Sequence, residues 1–218
     1  MRTRVYTEFN PQKALIWRII HRDNLPWILE HGLHAGNSAI KSDSWVHIGN
    51  EELIGKRSRL EIPVGKQGVL NDYVPFYFTP FSPMLYNVCS GRGGVTKRKP
   101  EDILILVSNL HRVAELELDY VFTDMHAYYH LASFYTDLAE LNKIDWPLLQ
   151  NRDFKRDSND LQKFERYQAE ALIYGHCPLE ALQGVVCYND AVQKQVESQL
   201  QNVAQELKVI TRPRWYFS

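Results

Sequence analysis

Apolar residues along this chain fall in short blocks separated by polar stretches that carry Pro and Gly, and the period of the blocks changes repeatedly. Residues 14–20 (ALIWRII) are rich in β-branched and aromatic side chains and predict a buried strand. It runs into His21-Arg22-Asp23-Asn24, where Asp23 or Asn24 caps a short helix that takes Pro26 in its first turn and ends at Gly32. Residues 36–56 are polar, with glycines at 36, 49 and 55, and read as a long loop with a little helix; loops of that length inside a domain are usually functional. Residues 72–78 (DYVPFYF) read as an aromatic strand containing a proline, and Ser82-Pro83 opens a helix. Strands follow over 103–107 and 116–122. The spacing of Leu131, Phe134, Leu138 and Leu141 predicts a helix over 128–142. Residues 148–160 read as polar loop, 161–168 as a helical run, and the apolar stretch ALIY after Glu170 as a strand. The remainder predicts one helical turn over 178–182, a strand over 184–188 and an amphipathic helix over 190–207 capped by Asp190. A last strand over 208–217 is interrupted at Pro213. Strands alternating irregularly with helices argue an α+β fold, in one domain spanning 1–218 with no repeat and no linker.

Composition leaves that picture intact: 44% hydrophobic, 12% aromatic and 23% charged residues describe a folded globular chain of 218 residues. The longest purely apolar runs are five or six residues, too short to span a membrane, and MRTRVYTEFN lacks the apolar core of a secretory signal. Cys89, Cys177 and Cys187 show no CxxC spacing, which argues against a disulfide framework or zinc site and for a reducing cytoplasm. His31 and His34 have no third ligand nearby, so no metal is expected. Charge changes the picture more. The net −1 conceals a basic half, with 14 Lys/Arg against 8 Asp/Glu in residues 1–100, and an acidic half, with 11 against 18 in 101–218. A basic half on a neutral protein suits a phosphate-bearing partner, nucleic acid or dinucleotide, or is simply solvated surface.

Several residues could carry chemistry. Glu170 stands where a polar segment turns into the strand ALIY; a carboxylate held at the mouth of a buried strand suits acid/base work, while an edge-strand glutamate facing water is the blander alternative. Arg57 and Arg59 flank Ser58, and a guanidinium clamps a pyrophosphate with a bidentate fork or neutralises developing negative charge. His21 and His126 each follow a strand. Of the aromatic cluster Tyr73, Phe76, Tyr77 and Phe78, most belongs to the core, with one ring available for stacking. The basic segment 91–99 (GRGGVTKRK) lacks the order of a phosphate-binding P-loop, and no GxGxxG fingerprint of hydride-transfer enzymes is present.

In combination, HRDNLPWILEHGL, KRSR, GVLNDYVPFYFTPFSPMLY, VFTDMHA and QAEALIYGHCPLEAL resemble the DarT family of DNA ADP-ribosyltransferases over about residues 16–188. The resemblance implies an ADP-ribosyltransferase fold, with a split, mostly antiparallel sheet flanked by helices and an NAD+-binding cleft. It implies a bacterial toxin that modifies a base of single-stranded DNA, most often thymine, and is paired with a DarG-type macrodomain antitoxin. The family's catalytic residues fall on Glu170 and Arg57. NAD+ contacts are implied at His21, Asn24, Leu25, Arg57, Tyr77 and Met84, and DNA contacts at Lys97, Arg98, Lys99, His126, Arg152, Phe154, Lys155 and Arg156. The segment 148–163 resembles the substrate-recognition loop of such enzymes. Two departures stand out: many relatives have His and Thr where this chain has Arg18 and Ile20, and Arg where it has Phe81. Rival readings are a transferase acting on guanine, RNA or protein, an RNA 2′-phosphotransferase, and a non-catalytic single-strand-binding module.

Overall fold

A computed structural model describes residues 5–217, so residues 1–4 and 218 of the predicted domain lie outside the described part. In chain order the strands are β1 (Leu15–His21), β2 (Leu33–His34), β3 (Tyr73–Tyr77), β4 (Ile103–Asn109) and β5 (Tyr120–Thr123). They continue with β6 (Phe134–Tyr135), β7 (Glu170–Tyr174), β8 (His176–Cys177), β9 (Gly184–Cys187) and β10 (Lys208–Thr211). The helices are α1 (Leu25–His31), α2 (Glu51–Arg57), α3 (Pro83–Ser90), α4 (Leu110–Glu115), α5 (Trp146–Asn151), α6 (Lys163–Arg166) and α7 (Asp190–Leu200). Eight strands form one sheet in the order β10-β9-β4-β1-β3-β7-β5-β6, antiparallel throughout except for the parallel β9–β10 pair; β2 and β8 pair separately.

The sheet has a weak seam. β1 and β4 pair over seven residues, and β3 and β7 over five, but β1 and β3 meet only at Trp17↔Tyr77. Pro75 explains part of this. Its carbonyl accepts from Arg18 Nη1 of β1 at 2.8 Å, so that side of the proline faces β1, where an ordinary residue would also offer an N–H. Proline offers none, and the ladder opens there. The main core covers both halves of the sheet, while Ile62, Leu70, Tyr73, Val121, Ala127 and Leu172 form a second small cluster on β3, β5 and β7.

Most predicted strands lie within a few residues of their expected bounds, but two helices do not. Residues 128–142 are not a helix. Asp124 accepts from Ser133 N–H and Tyr135 O–H, closing residues 124–133 into a loop; Phe134 and Tyr135 pair with β5, and Asp137 caps a separate 3₁₀ turn at Leu138–Lys143. Side-chain oxygens that capture nearby backbone donors outcompeted an apolar period that a helix would have satisfied, and Leu131, predicted inward, is 48% exposed. The predicted 190–207 helix is capped by Asn189 rather than Asp190 and stops at Leu200, because the chain must return to lay β10 parallel to β9. Within 148–160, which reads as loop, α5 already occupies Trp146–Asn151 on an Asp145 cap.

The small β2–β8 pair supplies a pH prediction. His34 and His176 stack with ring centroids 4.3 Å apart, and both Nε2 atoms bond the His31 carbonyl, at 3.0 and 2.8 Å. A carbonyl only accepts, so both rings donate from Nε2, which leaves His34 Nδ1 to accept from the Ser38 hydroxyl at 3.2 Å. Burial, and then the neighbouring His176, hold the His34 pKa below its ordinary value. The unfolded chain therefore binds more protons here, and stability is lost as pH falls from the unfolded histidine value of about 6.5 through the lower folded one. The denaturant midpoint is expected to drop between about pH 7.5 and about 5.5, and the drop should be shallower in His34→Asn. An identical pH slope in that variant would contradict the assignment.

Candidate active site

Glu170 is the first residue of β7, in register with Tyr77, and is 1% exposed. Its carboxylate is held from two directions. Oε2 lies 3.0 Å from Arg57 Nη1, and Oε1 accepts from the Ala127 backbone N–H at 3.0 Å, with His126 Nε2 3.7 Å away. Thr123 at the end of β5 sets this up: its Oγ1 accepts from Glu170 N–H at 3.1 Å and donates to the Met125 carbonyl at 2.6 Å, turning the chain so that Ala127 N–H reaches the carboxylate. The motif VFTDMHA is thus a brace for Glu170.

Arg57 comes from the last turn of α2. Asn50 caps this helix through Leu53 N–H at 2.9 Å and donates to the Gly93 carbonyl at 2.7 Å, so the basic segment 91–99 is tied to the helix that carries Arg57. Arg57 points inward and is 9% exposed, whereas Arg59 is exposed.

The seam between β1 and β3 widens into a cavity of about 410 Å³, within the usual range of about 300–1,000 Å³ for small-molecule sites. Arg18, Tyr77, Met84, Arg57, His126 and Glu170 line it, together with Trp45 and Val46 of the segment before α2. Asn24 fastens that segment by bonding both the N–H and the C=O of Val46, at 2.8 and 2.9 Å. The long polar stretch of the sequence is therefore a cavity wall held by a side chain that mimics a strand. Among the described residues, Glu170 is the one carboxylate lining the cavity, against the cations Arg18, Arg57 and Lys41. Arg57 Nη2 and Arg18 Nε are buried without a hydrogen-bond partner. Burial raises the Tyr77 pKa, with the Glu170 charge adding to it, and burial together with the nearby Arg57 charge lowers that of Arg18 to about 10. Such walls fit an anionic, ring-bearing ligand.

Of the residues implied as NAD+ contacts, Asn24, Arg57, Tyr77 and Met84 line this cavity. His21 and Leu25 do not: His21 Nδ1 accepts from Asp23 N–H, and Leu25 is 1% exposed in the core. His126 of the DNA set lines the cavity. Lys97, Lys99, Lys155 and Arg156 are surface residues away from it, and Arg98 is partly buried. Arg152 lies with its guanidinium 3.5 Å from the centre of the Phe81 ring, and Phe154 packs against Tyr167, Phe217 and Tyr86. Both pack against aromatic rings, and Phe81 is the ring under Arg152. Sequence reasoning did not anticipate Ala127 or Thr123 as holders of Glu170, because a backbone N–H has no sequence signature. Among the described residues no cluster of three metal-ligating side chains occurs, and the three cysteines are buried free thiols.

Comparison with known proteins agrees with this geometry. The family model for "ssDNA thymidine ADP-ribosyltransferase, DarT" matches residues 17–217. A DNA ADP-ribosyl transferase of Escherichia coli O127:H6 is 59% identical over 209 residues, covering 96% of both chains. The structure of Thermus sp. 2.9 DarT in complex with ADP-ribosylated ssDNA superposes with a TM-score of 0.87 at 33% identity, over 99% of this chain and 100% of that one. The same Thermus protein in complex with NAD+ gives 0.81 at 34% identity, over 95% and 99%. With its split sheet, its buried Arg57–Glu170 pair and these relatives, the chain belongs to the DarT family of DNA ADP-ribosyltransferases.

Proposed function

We propose that this NAD+-dependent DNA ADP-ribosyltransferase transfers ADP-ribose to N3 of thymine in single-stranded DNA, releasing nicotinamide, and that the lesion blocks replication. The observation that carries the reading is the buried Arg57–Glu170 pair, braced by Ala127 N–H, at the edge of a cationic cavity. Cleaving the bond from ribose to nicotinamide builds positive charge on the sugar, and a fixed carboxylate beside it stabilises that charge without reorganisation. The same carboxylate accepts the proton that thymine N3 gives up on attack. Arg57, with one nitrogen unpartnered, exchanges its contact with Glu170 for a phosphate oxygen of NAD+.

The acceptor base must leave any duplex to reach Glu170, so single strands cost least. Exposed Lys97 and Lys99 in the segment tied to α2, and Lys155 and Arg156 ahead of β7, supply contacts to phosphates of the strand on either side of the bound base. Each neutralised contact should reduce the slope of log K against log salt by about 0.7. The family resemblance brings a DarG-type macrodomain antitoxin as partner. A direct test uses two oligonucleotides differing only in replacement of every thymine by cytosine. The parent should gain the mass of ADP-ribose and the other stay unmodified; equal labelling would overturn the thymine assignment while leaving the transferase intact, and labelling of duplex as fast as single strand would contradict the open-strand requirement.

A further inference from the structure

Arg166 joins the segment ahead of β7 to the rest of the fold, and no step of the reaction so far uses it. Between α5 and α6, residues 152–162 form neither helix nor strand apart from an Asp157–Asp160 bridge. Arg166 Nη1 and Nη2 donate to the two oxygens of Asp160, at 2.9 and 2.7 Å, and Nε donates to Asp145 Oδ2 at 3.1 Å. Asp145 is itself the cap of α5, its other oxygen accepting from Leu148 N–H at 3.2 Å. One guanidinium therefore ties the far end of the segment back to the helix it leaves. Lys163 pairs with Asp153 near the other end, and Phe154 packs on Tyr167. Isolated exposed ion pairs contribute little, but a forked arginine bridging two carboxylates is a partly buried network of fixed geometry.

The frame is set against the catalytic carboxylate. The Glu165 carbonyl of α6 accepts from His126 N–H at 2.8 Å, in the turn that carries Ala127 N–H to Glu170. The ion pairs also sort the charges of the loop. Asp153 is taken by Lys163, Asp160 and Asp145 are taken by Arg166, and Asp157 accepts from Asn159 N–H. Lys155 and Arg156 stay exposed, with no carboxylate partner among the described residues. The Arg156 guanidinium rests 4.5 Å from the centre of the Phe164 ring of α6. Resting on the DNA reading above, we infer that Arg166 is a positioning residue that locks residues 153–163 in the shape presenting Lys155 and Arg156 to phosphates flanking the target base. Held at a fixed spacing, the two cations meet neighbouring phosphates without a further cost of ordering the loop. Without Arg166 the carboxylates of Asp145 and Asp160 would stand uncompensated beside the loop, where a polyanion arrives.

The test follows binding and turnover of a single-stranded oligonucleotide in Arg166→Gln, in Arg166→Lys and in the double variant Lys155→Ala/Arg156→Ala. Two phosphate contacts on a single strand contribute about 1.4 to the slope of log K against log salt. Arg166→Gln should lose about that much slope and raise KM for the oligonucleotide about 10-fold. Its NAD+ affinity and its kcat at saturating oligonucleotide should stay near wild type. Adding Arg166→Gln to the double variant should cause little further loss, because both changes remove the same two contacts. Arg166→Lys should resemble Arg166→Gln, since an ammonium keeps the charge but cannot bridge two carboxylates as a planar fork does. If Arg166→Gln fails to fold, Asp160→Ala breaks the same link at a more exposed position and should show the same loss of slope. Additive losses, a Lys variant that behaves as wild type, or an equal weakening of NAD+ would overturn the inference while leaving the DNA contacts of the loop in place. A Lys155→Ala/Arg156→Ala protein that binds DNA with wild-type slope and affinity would instead overturn the DNA reading of the loop, and the inference with it.

Discussion

Glu170→Gln is expected to slow ADP-ribose transfer by about two to four orders of magnitude while leaving NAD+ binding largely intact. The substitution preserves shape, and the amide oxygen can still accept from Ala127 N–H. What disappears is the negative charge that faces the reacting ribose and the base that takes the acceptor's proton, and both matter more in the transition state than in the ground state. Nicotinamide release and the mass of the DNA product read the loss directly. Transfer at near wild-type rate in a folded variant would remove Glu170 from the mechanism. Glu170→Ala is the harsher change: it leaves Arg57 buried beside an empty site, and breaking a buried ion pair from one side costs about 3–5 kcal/mol. A lower melting temperature for Ala than for Gln is the accompanying expectation.

Arg57→Ala should lose activity on a similar scale, and Arg57→Lys should recover only part of it, because an ammonium cannot reproduce a planar guanidinium that bonds Glu170 through Nη1 and keeps Nη2 for a phosphate oxygen. Arg57→Lys is expected to raise KM for NAD+ as well as lower kcat. Arg59, two positions on and exposed, provides the control. Its change to Ala should leave NAD+ kinetics close to wild type, with at most a weaker, more salt-sensitive grip on DNA. If Arg59 proved the sensitive position, α2 would have to present its other face to Glu170, contrary to the observed bond.

Local chemistry was legible in the sequence. Residues 14–20 and 103–107 read as strands because fully buried strands are near-continuous apolar runs, and they are neighbours in the sheet. Ser82 and Pro83 marked the start of α3 because cap chemistry depends on adjacent residues alone. Glu170 and Arg57 were named through the family resemblance and the strand-mouth position of QAEALI. They lie 113 residues apart in the chain, and nothing in either segment shows that they touch. Only the packing of α2 against the sheet brings them together. The failed helix over 128–142 has the same origin: its apolar spacing is helical, but Asp124, Asp137 and the exposed edge of β5 offered its backbone better partners. Leu25 illustrates the converse, a residue with a plausible position in sequence whose side chain packs in the core rather than lining the cavity. Sequence by itself determined the longer strands, the Ser82 cap and the identities of the reactive side chains, since each depends on neighbours a few residues away. Tertiary structure alone decided the seam at Pro75, the Ala127 N–H on Glu170 and the unpaired charge of Arg18, because each arises where backbone from distant segments meets and no short-range pattern encodes such a meeting.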